Sequence, residues 1–520
     1  MLFNTDDFIF LFLPGTLIGF FLLGRIAHHR ASLLWLVVCS LFYYGWWNPM
    51  YVFLVGGSMV FNYTVGQYIV SVRDGGDDRR AQVLMLVGVA FNLALIAYFK
   101  YANFFIDTAN AVTGGGWSIG EILLPVGISF FTFQQIAYLV DARRGGTAEY
   151  DFVQYSLFVL FFPQLIAGPI VHHKEMLPQF AQAHTYKPSW ANISVGGTIF
   201  IIGLFKKVVI ADNLAPIASP MFAAADQGQA LDAIWAWQGT FAYGLQLYFD
   251  FSGYSDMAIG IARLFGIRLP LNFDSPYKAT GIIDFWRRWH MTLSRFLRDY
   301  VYIPLGGSRS GRFNRYRNLF LTMLIGGLWH GAGWNFVLWG GLHGLGLIVN
   351  HGWRYLCGAS NQSWWARNMA RSATLVFVML AWVPFRAVTF DGALAVYGGM
   401  LNLPQAWEPI LGPLASALAM IGFSFEGPQA AGDNLVLIPW LVFWLGVIWI
   451  LPNTQQFLAR FEPAYNVDEQ ALVAGGMLNP RRGYAVIWAP RVTWGIAIGL
   501  MFALSVMSLN QESEFLYYQF

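Results

Sequence analysis

The chain has 520 residues, 57% of them hydrophobic and 11% charged, with a formal net charge of +3 and a mean hydropathy of +0.49. Soluble globular domains carry about 25% charged residues, so this composition excludes a soluble fold and points to an all-α, polytopic protein of the lipid bilayer. A net charge of +3 is too small to indicate a nucleic-acid partner.

Apolar spans run at about 8–24, 32–47, 51–72, 83–101, 120–140, 152–171, 192–211, 230–265, 317–350, 370–390, 410–424, 435–451 and 486–508. At about 20 residues per crossing they predict roughly 11–13 membrane helices. Asp6 and Asp7 stand where a signal peptide would be basic, so the first helix is expected to be retained. Arg25, His28, His29 and Arg30 follow the first span, Arg73, Arg79 and Arg80 the third, and Arg143 and Arg144 the fifth. The positive-inside rule places these loops in the cytoplasm and the N-terminus outside.

Two apolar runs are interrupted, at Leu124-Pro125-Val126-Gly127 and at Phe162-Pro163 with Gly168-Pro169. Irregular backbone at membrane depth is tolerated only where protein buries it or a wet cavity meets it. Re-entrant or kinked elements are therefore expected there, with an ordinary proline kink as the alternative.

The window Gln246 to Asp256 places Asp250, Ser252, Tyr254 and Asp256 in an apolar span. Carboxylates there are costly unless paired or solvated. On a continuous helix the two Asp residues lie about 240° apart, and Gly253 offers a break between them. They are candidates for a reaction centre; the alternative is that each holds a neighbouring Arg or caps a broken helix.

The stretch from Asp274 to Arg317 is basic and laced with aromatics, which reads as an element lying in the cytoplasmic interface or re-entering from it. Within it Phe285-Trp286-Arg287-Arg288-Trp289-His290 places two guanidiniums where they could neutralise a phosphate or diphosphate of an acyl donor. Attraction to anionic lipid headgroups accounts for them equally well. The polar interval at about 452–482 reads as a solvated cytoplasmic loop.

His330 lies in Gly326-Gly327-Leu328-Trp329-His330-Gly331-Ala332. Glycines permit close approach of a ligand or of another helix. An imidazole in such a setting is a functional candidate and an accessible general base. His343 falls about 220° around a regular helix from His330 and is expected to be structural. No HExxH and no Cys/His cluster at ligand spacing is present, Cys39 and Cys357 are isolated, and nucleotide-binding fingerprints are absent. No metal or bound cofactor is expected, and the reaction class that fits best is group transfer by general-base catalysis.

These segments, with Tyr98-Phe99-Lys100-Tyr101, Leu124 to Phe130, Phe162 to Pro169, Leu297-Arg298-Asp299-Tyr300 and the terminal Tyr517-Tyr518-Gln519-Phe520, occur together and in order. In them the chain resembles the membrane-bound O-acyltransferases, in particular the bacterial branch of alginate O-acetylases and teichoic-acid D-alanyl transferases. The resemblance implies a single domain over 1–520, a helical bundle around a central tunnel, with a catalytic centre at about 240–350 and C-terminal helices at about 370–510. It implies His330 as catalytic general base and His290 as a donor-side partner that orients or stabilises the thioester. Trp286, Arg287, Arg288, Trp289, Asp250, Ser252, Tyr254, Asp256, Arg298 and Trp329 are then candidates for donor or substrate binding.

The co-substrate implied is an acyl thioester, acetyl-CoA or an acyl carrier. The implied location is a bacterial inner membrane, and the implied partner an extracytoplasmic acetyltransferase. Phe131-Thr132-Phe133-Gln134-Gln135 and Val171-His172-His173-Lys174 depart from the alginate-type pattern, so the expected acceptor is alginate, cellulose or another exopolysaccharide. Two other readings stand beside this one: a transporter or flippase for exopolysaccharide export, and an acyltransferase acting on lipid or teichoic-acid acceptors.

Overall fold

The computed structural model describes the chain except residues 27, 121, 147–149, 310, 359–362, 428–436, 466–485, 510–515 and 517–520. The terminal Tyr517 to Phe520 motif and most of the interval at 452–482 therefore lie outside the described residues.

The N-terminal part packs α1 (Asp7–Ile26), α2 (His29–Gly45), α3 (Met50–Asp74), α4 (Asp78–Thr113) and α5 (Ile128–Arg143). The loops between them gather at one end of the bundle, where Arg143 pairs with Asp78 at 2.8 Å, Arg30 approaches Asp151 at 3.6 Å and Arg73 donates to the Ala142 carbonyl. This is the basic end. Inside, α3, α4 and α5 are joined by amides and a hydroxyl: Ser58 Oγ and Asn62 Nδ2 donate to Gln135 Oε1 at 2.7 and 2.9 Å, and Asn92 Nδ2 donates to Asn62 Oδ1 at 2.6 Å. Polar pairs of this kind join helices where the surroundings are apolar. Gln135, one of the residues that set the chain apart from the alginate type, thus does interhelical packing.

Both expected interruptions leave the helix rather than kink it. Residues 114–120 and 122–127 are irregular up to Gly127, whose φ of +71° opens α5. After α6 (Phe152–Leu160) only the single turn Phe162–Leu165 forms, and an extended, buried segment leads to α7 (His173–Phe180).

The centre is built on α8 (Trp190–Asp226) and α9 (Ala233–Leu264). They touch backbone to backbone: a Cβ on Gly203 would lie 2.5 Å from the Gly253 carbonyl oxygen, and one on Gly253 2.7 Å from that of Gly203. Gly253 is a contact point between helices, and α9 runs through it unbroken. Asp250 and Asp256 do face different ways. Asp250 pairs with Lys207 at 2.7 Å, and Asp256 with Lys206 at 2.6 Å, both lysines being in a π-helical turn of α8. Asp256 also accepts from Thr454 and Gln455 at 2.6 and 2.9 Å. The start of the interval at 452–482 is therefore buried, not solvated, because it completes the shell of a buried carboxylate.

Beyond α9 the chain breaks into α10 (Ile282–Trp286) and α11 (Met291–Leu297), then forms α12 (Gly311–His330), α13 (Trp334–Cys357), α14 (Trp364–Arg386), α15 (Phe390–Leu401), α16 (Leu437–Ile450) and α17 (Val492–Met507). The apolar span at 317–350 is two antiparallel helices, not one. A short parallel pair, Asn402–Pro404 with Ser424–Gly427, departs from the all-α expectation. Large apolar side chains such as Leu11, Phe53, Val349, Met369 and Leu500 are exposed on the outside. Helices α1, α4, α8 and α14 are long and apolar enough to cross a membrane. This is a multi-pass helical membrane protein.

Candidate active site

The first part of the basic segment, residues 274–297, packs into the protein, whereas most of the described residues from 298 to 317 are half-buried or exposed. Trp286 and Trp289 are buried, and Trp289 stacks on Phe285 and Tyr277 at centroid distances of 5.6 and 6.0 Å. This brings His290 within 6.5 Å of His330, ring centroid to ring centroid, although 40 positions separate them in the chain.

His290 is fully buried and sits at φ +43°, a left-handed backbone that costs a non-glycine residue about 1–3 kcal/mol. Asn272 holds it there. The Asn272 carbonyl accepts from Met291 N at 2.9 Å, its Oδ1 accepts from Thr292 Oγ1 at 2.8 Å, and its Nδ2 donates to Ser255 Oγ at 3.0 Å. With Nδ2 committed to Ser255, Oδ1 can only accept from His290 Nδ1, 3.1 Å away. The imidazole hydrogen therefore sits on Nδ1, and Nε2 keeps a free lone pair with no partner among the described residues.

His330 closes α12 in a box of rings: Trp329 at 4.9 Å, Trp339 at 5.0 Å and Phe385 at 5.3 Å. Two features of the fold fix it. A Cβ on Gly327 would lie 2.2 Å from the Phe336 carbonyl oxygen, and one on Gly340 2.4 Å from that of Met323, so α12 and α13 meet at glycines. Lys100 Nζ donates to the carbonyls of Trp329 and His330, and Tyr101 Oη to that of Leu328 at 2.6 Å. The last carbonyls of a helix lack intrahelical partners, and a cation is favoured beside them. The Tyr98 to Tyr101 motif is thus the cap of the His330 helix.

His343 joins the same cluster. Because α13 folds back on α12, its ring lies 4.9 Å from Trp339, and its Nδ1 accepts from Trp286 Nε1 at 3.3 Å. The expectation that it faces away assumed one regular helix through Gly331-Ala332-Gly333, where the chain turns.

Two cavities approach the cluster from opposite ends. One, of about 820 Å³, opens toward the basic end and is lined by Trp286, Arg287, Arg295, Arg298, Arg315 and Thr292 among others. The other, of about 270 Å³, is lined by Tyr98, Lys100, Leu124, Gly331, Ala332 and Phe336. Ring contacts run between their walls: Trp286 to Trp339 at 5.8 Å, Trp339 to Phe385 at 5.1 Å and Phe385 to Phe336 at 5.3 Å.

Comparison with known proteins identifies the family. Residues 142–387 match the membrane-bound O-acyltransferase family. The chain is 46% identical over 429 residues to the peptidoglycan O-acetyltransferase of Helicobacter pylori, covering 78% of this chain and 80% of that protein. It is 38% identical over 532 residues to a probable alginate O-acetylase of Azotobacter vinelandii, with 100% of both covered. The chain belongs to the membrane-bound O-acyltransferase family. It is an enzyme, an O-acetyltransferase of that family. A more distant member, the teichoic acid D-alanyltransferase of Streptococcus thermophilus, is 29% identical over 241 residues, 45% of this chain and 58% of that protein.

Within this acyltransferase the remaining candidates separate by place. Arg287 is exposed to the large cavity with no ion-pair partner among the described residues. Arg288 is held by Asp284 at 2.9 Å and Asp274 at 3.5 Å, and Arg298 pairs with Asp299 at 2.7 Å while still lining the cavity. Trp329 stacks on Phe133 at 5.2 Å and leaves its Nε1 without a partner among the described residues. Asp250 and Asp256 lie in the ion pairs of α8 and α9, and Tyr254 stacks on Phe3 at 4.6 Å. Ser252 is buried, its hydroxyl lacking a partner among the described residues. Nothing in the sequence marks Asn272. Lys100 did carry a signal: a lone cation at the end of an apolar span must be satisfied by something.

Proposed function

We propose that the protein takes an acetyl group from a thioester donor on the cytoplasmic side and delivers it, through an extracytoplasmic partner acetyltransferase, to a glycan outside the membrane. The observation that carries this reading is the histidine pair between two cavities that open toward opposite ends. The basic end is the cytoplasmic one under the positive-inside rule. The large cavity there has a volume within the range of organic-ligand sites and a guanidinium, Arg287, free for a donor phosphate. His330 abuts the small cavity through Gly331 and Ala332.

In the reaction His330 takes the proton of the acceptor hydroxyl as the oxygen attacks the thioester carbonyl. The acyl–sulfur bond breaks, and the thiolate leaves with that proton. His290 orients the donor. Its free Nε2 lone pair accepts a hydrogen bond from a donor N–H or O–H and cannot stabilise an oxyanion, which narrows the role the resemblance implied. For the acceptor, peptidoglycan comes first: identity to the Helicobacter relative is 46%, against 38% for the alginate-type relative. That acceptor is absent from the sequence-based expectation of alginate or a cellulose-like polymer.

The test is His330→Ala in a strain lacking the native copy, with ester-linked acetate measured on muropeptides and on exopolysaccharide. The reading requires loss of acetate from one polymer while the variant stays folded and inserted. Full acetylation by His330→Ala sinks the mechanism, and purified protein that moves intact donor into liposomes without transfer establishes a transporter instead.

A further inference from the structure

At the basic end, away from the histidine pair, a second group of polar side chains converges. Asp141, near the end of α5, is 6% exposed; His173, the first residue of α7, is fully buried. His172 Nε2 lies 3.1 Å and His173 Nε2 3.0 Å from the same carboxylate oxygen, Asp141 Oδ2. All three atoms fall within 4.8 Å of one another. Tyr300 Oη adds a fourth, 2.6 Å from His172 Nε2 and 3.4 Å from Asp141 Oδ2.

Hydrogen bonds serve most of this group, Tyr300 Oη–H and His173 Nε2 both meeting Asp141 Oδ2, but leave His172 overcommitted. His172 Nε2 offers either one hydrogen or one lone pair, yet it faces both a carboxylate that only accepts and a phenol at 2.6 Å. Both imidazoles also aim the same nitrogen at one oxygen. Two imidazole nitrogens and a carboxylate oxygen within 4.8 Å of one another are atoms that a single cation can share. Zinc binds imidazole nitrogen at about 2.0–2.1 Å and carboxylate oxygen at about 2.0–2.2 Å, so tetrahedral ligand atoms stand about 3.3 Å apart. The two Asp141 separations, 3.0 and 3.1 Å, are close to that spacing. Tyr150 Oη lies 3.2 Å from His173 Nδ1, positioned to accept its N–H, the support that metal-bound imidazoles regularly have.

We propose that Asp141, His172 and His173 bind a zinc-class divalent ion, with Tyr300 or a water in the fourth position. Two imidazoles and one carboxylate favour zinc over magnesium or calcium, which prefer all-oxygen shells. The site is tertiary: Asp141 is 31 positions from His172, so no ligand spacing is visible in the sequence. Its place explains what an ion would do. Glu175, two positions past His173, grips Arg295 through both carboxylate oxygens at 2.5 and 2.9 Å, and both residues line the large cavity. An ion here ties the end of α5, the start of α7 and the turn after α11 into one wall of that cavity. It is a structural clamp with no part in acyl transfer.

The experiment uses the full-length protein in detergent, stripped with chelator, incubated with zinc chloride alone and desalted. Elemental analysis is expected to find one zinc retained per chain, and zinc is expected to raise the thermal unfolding midpoint. The His172→Gln/His173→Gln double variant loses both effects, whereas His172→Cys keeps a zinc ligand and retains them. Tyr150→Phe leaves the ligands in place and weakens zinc binding about 10–100-fold; it decides the matter if the double variant does not fold. Zinc-free wild type after desalting, or equal retention by wild type and the double variant, overturns the site and leaves a hydrogen-bond network only. The measurement is independent of acyl transfer, so its failure says nothing against the proposed function.

Discussion

The Lys100 ammonium donates to the main-chain carbonyl of His330 at 2.9 Å and to that of Trp329 at 2.6 Å. A side chain of α4 thereby fixes where α12 ends, and with it where the imidazole of His330 stands. Removing the ammonium while keeping the chain length, as in Lys100→Met, frees that last turn. Misplacement of a reacting group by about 1 Å costs about 100-fold in rate, so turnover should fall to that extent while the variant inserts and elutes as wild type does. A wild-type acetylation rate would remove Lys100 from any positioning role.

Asn272 sets the tautomer of His290. Asn272→Ala takes away the acceptor for Nδ1–H and lets the hydrogen move to Nε2. General acid–base and orienting groups contribute about 10²–10⁴-fold, and a loss near the lower bound is expected in kcat with KM for the donor little changed. A rise in KM with unaltered kcat would mean that His290 only binds.

The two arginines of the Trp286 to His290 run should behave differently. Arg287→Ala removes the free guanidinium of the cavity and should raise KM for the thioester about 10-fold or more, as expected for a charge-assisted hydrogen bond of about 1.5–3 kcal/mol. Arg288→Ala breaks its pairs with Asp284 and Asp274 and should lower the unfolding temperature with little effect on KM. Donor titrations and thermal scans of both variants check this.

Packing makes a sharper test of α12 against α13. In Gly340→Ala the new methyl would lie 2.4 Å from the Met323 carbonyl oxygen, and backbone cannot move aside as a side chain can. Overpacking of this kind costs about 1–3 kcal/mol. Gly341→Ala, whose methyl would meet nothing nearer than Leu324 Cδ2 at 3.7 Å, is the matched control and should unfold at the wild-type temperature.

Several of these features were legible in the sequence, and the reason is cost. His290, His330, Asp250 and Asp256 are polar groups in apolar surroundings, and each has a specific partner or place in the fold. The breaks at Pro125 and Pro163 were legible because proline and glycine act on the backbone locally. Other features depended on how the chain returns on itself. Helical periodicity carried through Gly331-Ala332-Gly333 points His343 away from His330, and periodicity does not tell a hinge from a helix contact at Gly253. Trp286 and Trp289 looked interfacial since an aromatic gives the same pattern whether it faces lipid headgroups or another ring. The Asp141 cluster could not be seen at all, its members being distant in sequence.

The row of rings from Trp286 through Trp339 and Phe385 to Phe336 has an energetic meaning for the cell. An enzyme hollowed from both sides thins the insulating layer, and a continuous thread of water through it would short-circuit the proton gradient. Indole and phenyl rings packed against one another are a poor medium for ions and for proton hopping. Under the proposed function, in which the acyl group is handed across the membrane, these rings would let the transfer proceed without opening a conductive path, and a cell could carry many copies of the protein without discharging its membrane potential.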